Sequence, residues 1–170
     1  GHNIYFNQEL PIVSDNNEIA NTFIITKYKN LSERSGMIGK ASLYLKSINS
    51  LDGSDVRISK RGYIPYNRLR GFEKGKVGPI DNSDYIGGNY VGAINLSTNL
   101  PGIMTTIENL DFSYFIDIAN VWGVDYDNSI DNSNKLRSST GVALDILTPV
   151  GPLSFSLSTA ITSASSDKTE

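Results

Sequence analysis

The 170-residue chain has no cysteine and one histidine, His2, beside its first residue. Disulfide scaffolds, thiol catalysis, thiolate-bound metals and nearly all histidine acid–base chemistry are therefore excluded, because each needs a soft ligand or a group titrating near neutral pH. Positive charge is also scarce: the net charge is −3 at pH 7, which leaves no cationic excess to neutralise a phosphate backbone. No cationic region followed by an apolar stretch opens the chain, so residues 1–10 do not read as a signal peptide. The longest run without a charge, Tyr85 to Ile107, is long enough for a membrane helix. Asn89, Asn95, Asn99, Pro101 and several glycines and threonines interrupt it, and a spanning helix is rejected there.

What the chain does have in quantity is 21 Ser, 17 Asn and 15 Gly, which weaken helix interiors. Nine Tyr and six Phe, together with Ile, Val and Thr, favour strands, so the composition leans toward an all-β fold. Period-two alternation supports this along most of the length. Tyr90, Ile94, Leu96 and Leu100 oppose Asn89, Asn95, Ser97 and Asn99, and Leu153, Phe155, Leu157 and Ile161 oppose Ser154, Ser156, Ser158 and Thr162. Between Leu110 and Trp122 the apolar side carries Leu110, Phe112, Tyr114, Ile116, Ile118 and Trp122, leaving Asp111, Ser113, Asp117 and Ala119 on the polar side. Leu136, Val142, Leu144 and Ile146 likewise oppose Arg137, Ser139, Gly141, Ala143 and Asp145. With Asn3 to Val13, Ile19 to Leu31, Met37 to Ile48 and Val56 to Tyr63 added, the pattern predicts eight strands.

Connections at Ser14–Glu18, Asn49–Asp55, Pro101–Ile107 and Pro149–Gly151 are short, whereas Ser32–Gly36, Tyr66–Gly87 and Gly123–Lys135 are mostly longer and more polar. An up-and-down sheet would gather the long ones at one end, as in an outer-membrane barrel with a lipid-facing apolar band and a wet lumen. A soluble sandwich or lipocalin-like barrel predicts the same alternation with the apolar set turned inward. Periodicity alone leaves both open.

Among candidate sites, Asp125 to Asp131 places carboxylates at alternate positions, but Ile130 and Leu136 stand where a calcium loop needs glycine and glutamate, so a solvated loop is the better reading. Gly87-Gly88-Asn89-Tyr90-Val91-Gly92 opens a strand and lacks the lysine of a phosphate loop. The Asn-Leu-Ser triplets at Asn30 and Asn95 fall inside expected strands and do not read as glycosylation sites. Asp111 and Asp117 share a face and are the pair that a carboxylate enzyme would use, though a solvated wall is the stronger reading. The densest cationic run is Lys60, Arg61, Arg68, Arg70, Lys74 and Lys76, interleaved with Tyr63, Tyr66 and Phe72. Aromatics among cations can bind single-stranded nucleic acid. Here glycines and prolines dilute the run, which suits a compact loop folded back on its own body. An arginine buried there would need a carboxylate, and Asp117 is the natural candidate on the polar face.

Several motifs in order then resemble the BamA family of bacterial outer-membrane protein assembly factors: Arg68-Leu69-Arg70-Gly71-Phe72, Gly78-Pro79, Gly87-Gly88-Asn89, Phe115 to Trp122, Arg137 to Val142 and Thr148 to Leu153. The resemblance implies an all-β partial antiparallel transmembrane barrel with meander topology: about eight strands, eight to fifteen of sixteen, covering residues 1–170. The final strand and the periplasmic POTRA domains would lie outside it. Tyr66–Gly87 would be the sixth external loop, folded into the lumen, with Arg70, Gly71 and Phe72 as its tip and Gly78, Gly87 and Gly88 as its turn glycines. By the same likeness Arg70 contacts Asp117 on the thirteenth strand. Ser97 stands where the family commonly has glutamate. The chain's last residues, Asp167 to Glu170, would belong to the last external loop. No catalytic residue, cofactor or metal is implied, and the activity is not enzymatic. Implied partners are outer-membrane lipid, nascent outer-membrane proteins and accessory assembly lipoproteins, with no nucleic acid. A TamA-like or two-partner secretion barrel, or a passive porin-like barrel, is the alternative.

Overall fold

The computed structural model describes residues 1–11, 17–103, 109–127, 129–130 and 135–170. Among these residues, seven long strands form one antiparallel sheet: β1 (His2–Glu9), β2 (Glu18–Ser32), β3 (Met37–Ser50), β6 (Tyr90–Asn99), β7 (Leu110–Trp122), β8 (Arg137–Thr148) and β9 (Gly151–Thr162). Two short strands, β4 (Ile80–Asp81) and β5 (Asp84–Tyr85), make a separate hairpin inside the connection from β3 to β6. In the large sheet the order is β1-β2-β3-β6-β7-β8-β9, so each long strand pairs with the next in the chain. The sheet is a meander whose edges, β1 and β9, are not paired with each other.

The eighth expected strand does not form. Val56 to Tyr63 holds a single 3-10 turn, Ile58–Lys60, and joins the sheet nowhere. Its alternation is broken from within, because Val56 and Arg61 are drawn into the interior while Ile58 and Tyr63 stay exposed. The β3–β6 connection therefore runs over residues 51–89, longer than the Tyr66–Gly87 excursion expected. Losing one strand also re-sorts the ends of the sheet. The chain now passes from β2 to β3 at the same end of the sheet as from β6 to β7 and from β8 to β9, and from β1 to β2 at the end where the two longest connections, β3 to β6 and β7 to β8, leave it. The expected ends of the first strand at Val13 and of the turns Ser14–Glu18 and Pro101–Ile107 lie partly outside the described residues.

The two faces differ as the alternation requires. Ile94, Leu96, Leu153, Phe155 and Ile161 are exposed on the outer face, and Leu157 there is 77% exposed. The opposite, concave face carries Ser42, Asn95, Asp117 and Ser139, in register across β3, β6, β7 and β8 through the pairs Ser42↔Asn95, Asn95↔Asp117 and Asp117↔Ser139. The apolar sides of the strands thus point away from the protein interior, the arrangement of a lipid-facing barrel wall and the reverse of a sandwich. The hydrophobic core lies on the concave side. Ile64, Leu69, Phe72 and Val77 of the long connection pack on Tyr44, Val91, Ala93, Ala119 and Val121 of the wall.

Asp111 and Asp117 share that face, yet they stand six residues apart on one strand. At about 3.4 Å per residue this separates them by roughly 20 Å, too far for two carboxylates to act on one bond. The residue opposite Asp111 is Asp145.

Candidate functional site

The long connection is seated on the concave wall by three arginines: Arg68 and Arg70 bind strand residues, and Arg61 binds a carboxylate just past β7. Asp117 has no solvent exposure at its side chain, because β6 and β8 flank it and the loop covers it. Arg70 closes on it as a fork: Nε donates to Oδ2 at 2.7 Å and Nη2 to Oδ1 at 2.9 Å. The Arg70 backbone N–H also donates to Oδ2, at 3.3 Å. The guanidinium lies over the Phe115 ring, 3.2 Å from its centroid, so the same cation meets a carboxylate at its edge and an aromatic face below. A carboxylate buried this deeply is tolerated only when its lone pairs are met by donors, and here the fork and the loop backbone meet them.

Asn95 is a site residue that sequence reading passed over as part of a glycosylation triplet. Its amide donates to Asp117 Oδ1 at 2.8 Å and to the Arg68 carbonyl at 2.9 Å, while its own carbonyl oxygen accepts from Arg68 Nη1 at 3.1 Å. Arg68 further donates to Ser42 Oγ at 2.8 Å and sits 5.4 Å from the Tyr44 ring centroid. The second polar support of Asp117 is therefore a neutral amide on β6. Ser97, two residues along the same face, pairs across the ladder with Phe115.

A third arginine fixes the start of the connection. Arg61 pairs with Asp125, whose Oδ2 also accepts from the Val56 backbone N–H at 3.0 Å and from Asn89 Nδ2 at 2.9 Å. Partial burial works to raise the Asp125 pKa, but the donors from Val56, Asn89 and Arg61 outweigh it and the carboxyl titrates below the usual aspartate range. Asp125, which opens the stretch of alternating carboxylates, is engaged by this node. Asn128 and Asp131 of that stretch lie outside the described residues.

Of the turn glycines, Gly78 and Gly88 sit where the loop touches the wall, and Gly87 sits where the loop touches itself. Gly78 has φ +113°, and a Cβ there would stand 2.4 Å from Val121 Cγ1. Gly88 pairs with Gly62 in an isolated antiparallel bridge, and a Cβ on Gly88 would meet the Trp122 carbonyl oxygen at 2.3 Å. Gly87, next to it, lies against the Gly62 carbonyl and the Tyr63 ring. At the tip, Gly71 backs onto Ser158 of β9, and Phe72 is buried in the core.

A lipid-facing antiparallel meander with a long loop tied to its concave side by buried ion pairs defines one class of protein, the wall of a membrane β-barrel with an inward-folded loop. Comparison with known proteins agrees. The family model of the Omp85 superfamily domain matches residues 1–170. Among curated proteins, the outer membrane protein assembly factor BamA of Neorickettsia risticii is 26% identical over 125 residues, covering 72% of this chain and 17% of that protein. Among solved structures, BamA from Haemophilus ducreyi lacking POTRA domains 1–3 superposes with a TM-score of 0.83 at 28% identity, over 99% of this chain and 36% of that one. The chain belongs to the Omp85 superfamily, whose members are integral outer-membrane β-barrels. It is similar to part of the BamA barrel, and it spans well under half the length of either relative.

Proposed function

We propose that the protein containing this chain assembles and inserts β-barrel proteins into the outer membrane, and that this chain supplies part of the barrel wall and the latch for its lumen loop. The work is not covalent chemistry. A seam in the barrel opens, its strand edges template incoming strands, and the bilayer beside it thins. Partners on this reading are nascent outer-membrane proteins, outer-membrane lipid and accessory assembly lipoproteins. Counting from the loop as the sixth external one, β3 is the eleventh strand and β6 to β9 are the twelfth to fifteenth. The seven long strands then correspond to strands nine to fifteen of sixteen.

The observation that carries this reading is the Arg70 fork on the buried carboxylate of Asp117, at 2.7 and 2.9 Å, in a loop packed on the concave face. A passive pore would leave that face open to water. The test is client assembly by the full-length protein in phospholipid vesicles. Arg70→Ala is expected to slow the appearance of folded, heat-modifiable client barrels, and Asp117→Ala to do the same without adding to it. Ion conductance unaffected by either change, with no acceleration of client folding by the unaltered protein, would mark a passive porin instead.

A further inference from the structure

The tip of the loop is held from a second side by the residues that follow β9. Ser163 to Glu170 turn back over the loop instead of leaving it. The turn is closed by Asp167, whose backbone N–H donates to the Ala164 carbonyl at 3.1 Å and whose Oδ2 accepts from the Ala164 N–H at 2.6 Å. Beyond it, the Glu73 N–H donates to the Lys168 carbonyl at 2.9 Å, the Lys168 N–H to the Lys76 carbonyl at 3.1 Å and the Glu170 N–H to the Gly71 carbonyl at 3.2 Å. Phe72 and Thr169 form an antiparallel bridge between the two segments. The strap is thus a strip of extended chain paired to the loop immediately after its Arg70 tip.

The strap's own anchor is a second buried ion pair. Arg137, the first residue of β8, donates through Nε to Asp167 Oδ2 at 2.9 Å and through Nη2 to Oδ1 at 3.2 Å, with side-chain exposures of 4% and 0%. Its remaining nitrogen, Nη1, donates to Asn120 Oδ1 at 2.6 Å and to the Lys135 carbonyl at 2.8 Å. Asp167 Oδ1 also accepts from the Gly78 backbone N–H at 3.3 Å, so one carboxylate joins β8, the strap turn and the loop. A fork this deeply buried is as specific a joint as that of Arg70 and Asp117, and removing either partner leaves a buried charge unmet.

We infer that Arg137 and Asp167 are positioning residues that form a second latch on the lumen loop, distinct from Arg70–Asp117, and that this latch makes the loop tip follow the β9 edge of the sheet. The two latches divide the work. Asp117 holds the tip to the middle of the wall through its side chain, whereas Asp167 holds residues 71–78 through backbone pairing to a strap continuous with β9. The inference rests on the loop-seating role proposed above, but its test reads loop seating directly.

In full-length protein in phospholipid vesicles, Asp167→Asn should speed amide hydrogen exchange at Glu73, Lys168 and Glu170 by about tenfold or more while leaving the Arg70 amide protected. Asp117→Asn should do the reverse, exposing the Arg70 amide and sparing the strap. A disulfide between cysteines placed at the bridged positions, Phe72→Cys with Thr169→Cys, should restore strap protection in the Asp167→Asn background. Should Asp167→Asn fail to assemble, Arg137→Lys keeps the charge, loses the fork and is expected to release the same three amides. Strap amides that stay protected in both Asp167→Asn and Arg137→Lys, or that are released equally by Asp117→Asn, would overturn the inference. The expected exchange pattern together with unchanged client assembly would uphold the second latch and count against the assembly role instead.

Discussion

The guanidinium of Arg70 rests 3.2 Å from the centroid of Phe115 while its edge grips Asp117, two residues further along the same strand. Residues at i and i+2 share a strand face, so β7 presents the ring and the carboxylate side by side to one incoming side chain. This pairing sets what substitutions at the site should do.

Arg70→Ala and Asp117→Ala are each expected to destabilise the barrel by about 3–5 kcal/mol, because either leaves its partner without its charge complement in a buried setting. The double variant should fall well short of the sum. Denaturant unfolding of the full-length protein in detergent, followed by the heat-dependent shift in gel mobility, measures both. Additive losses would show that the two residues do not act as a pair.

Phe115 is fully buried on the concave face, against the rule that this face is polar. Phe115→Ala should cost about 3–5 kcal/mol from the cavity, and Phe115→Leu clearly less. If stacking with Arg70 matters beyond volume, Phe115→Leu should still increase protease cleavage within residues 51–89. An unchanged cleavage rate in Phe115→Leu would reduce the ring to a space-filling role.

Gly78→Ala meets two obstacles, a positive φ and the methyl of Val121 at 2.4 Å from the added carbon. It should destabilise by about 1–3 kcal/mol. Adding Val121→Ala removes the clash but not the backbone penalty, so a partial recovery in unfolding midpoint is expected, after allowing for the loss caused by Val121→Ala alone. Full recovery would mean that the backbone conformation there is unimportant.

The Arg61–Asp125–Asn89 node has a defined acid limit. Its carboxyl has a folded-state pKa below the unfolded value, so its stabilisation is complete above the unfolded value of about 3.9 and is lost as pH falls through the lower folded value. Between pH 7 and pH 5 the protease resistance of residues 51–89 should therefore not change through this node, and below about pH 4 it should decline. Asp125→Asn should lower the resistance at neutral pH and flatten the acid decline. A decline centred near pH 6 would point to another group.

Leu157, on the outer face, and Ser156, on the concave face, separate the two environments of β9. Leu157→Lys should cost up to about 2–4 kcal/mol if it lies near the bilayer midplane, and less toward either interface. Ser156→Lys should be tolerated. Membrane integration followed by carbonate extraction distinguishes them, and equal tolerance of both lysines would contradict a lipid-facing outer surface.

Much of this fold is legible in the sequence because a strand with two unlike faces writes its orientation into every second residue. β6, β7, β8 and β9 follow the expected alternation almost to their ends. Val56 to Tyr63 misleads because Val56 and Ile58 mimic a strand while Arg61 is pulled inside by Asp125, a partner 64 residues away. No local pattern can carry that contact. The loop's core contacts are obscure for a related reason: Val91, Phe115 and Val121 are apolar residues on the polar face, and only the arrival of Leu69, Phe72 and Val77 explains the two valines, as only Arg70 explains Phe115. An apolar residue breaking a polar stripe is the one signal that would have marked where the loop lands. Asn95 carries no such mark, since an asparagine among asparagines on a wet face looks ordinary until Arg68 and Asp117 close on it.

The acceptors of the arginines are spread across the width of the sheet: Ser42 on β3, Asn95 on β6, Asp117 on β7, with Asp125 just past β7 and Asp167 just past β9. Such a pattern braces the arc from inside, as ribs are tied across a hull. Bending the sheet flatter would pull several of these joints apart together, so the curvature of this wall belongs to the loop as much as to the twist of its strands.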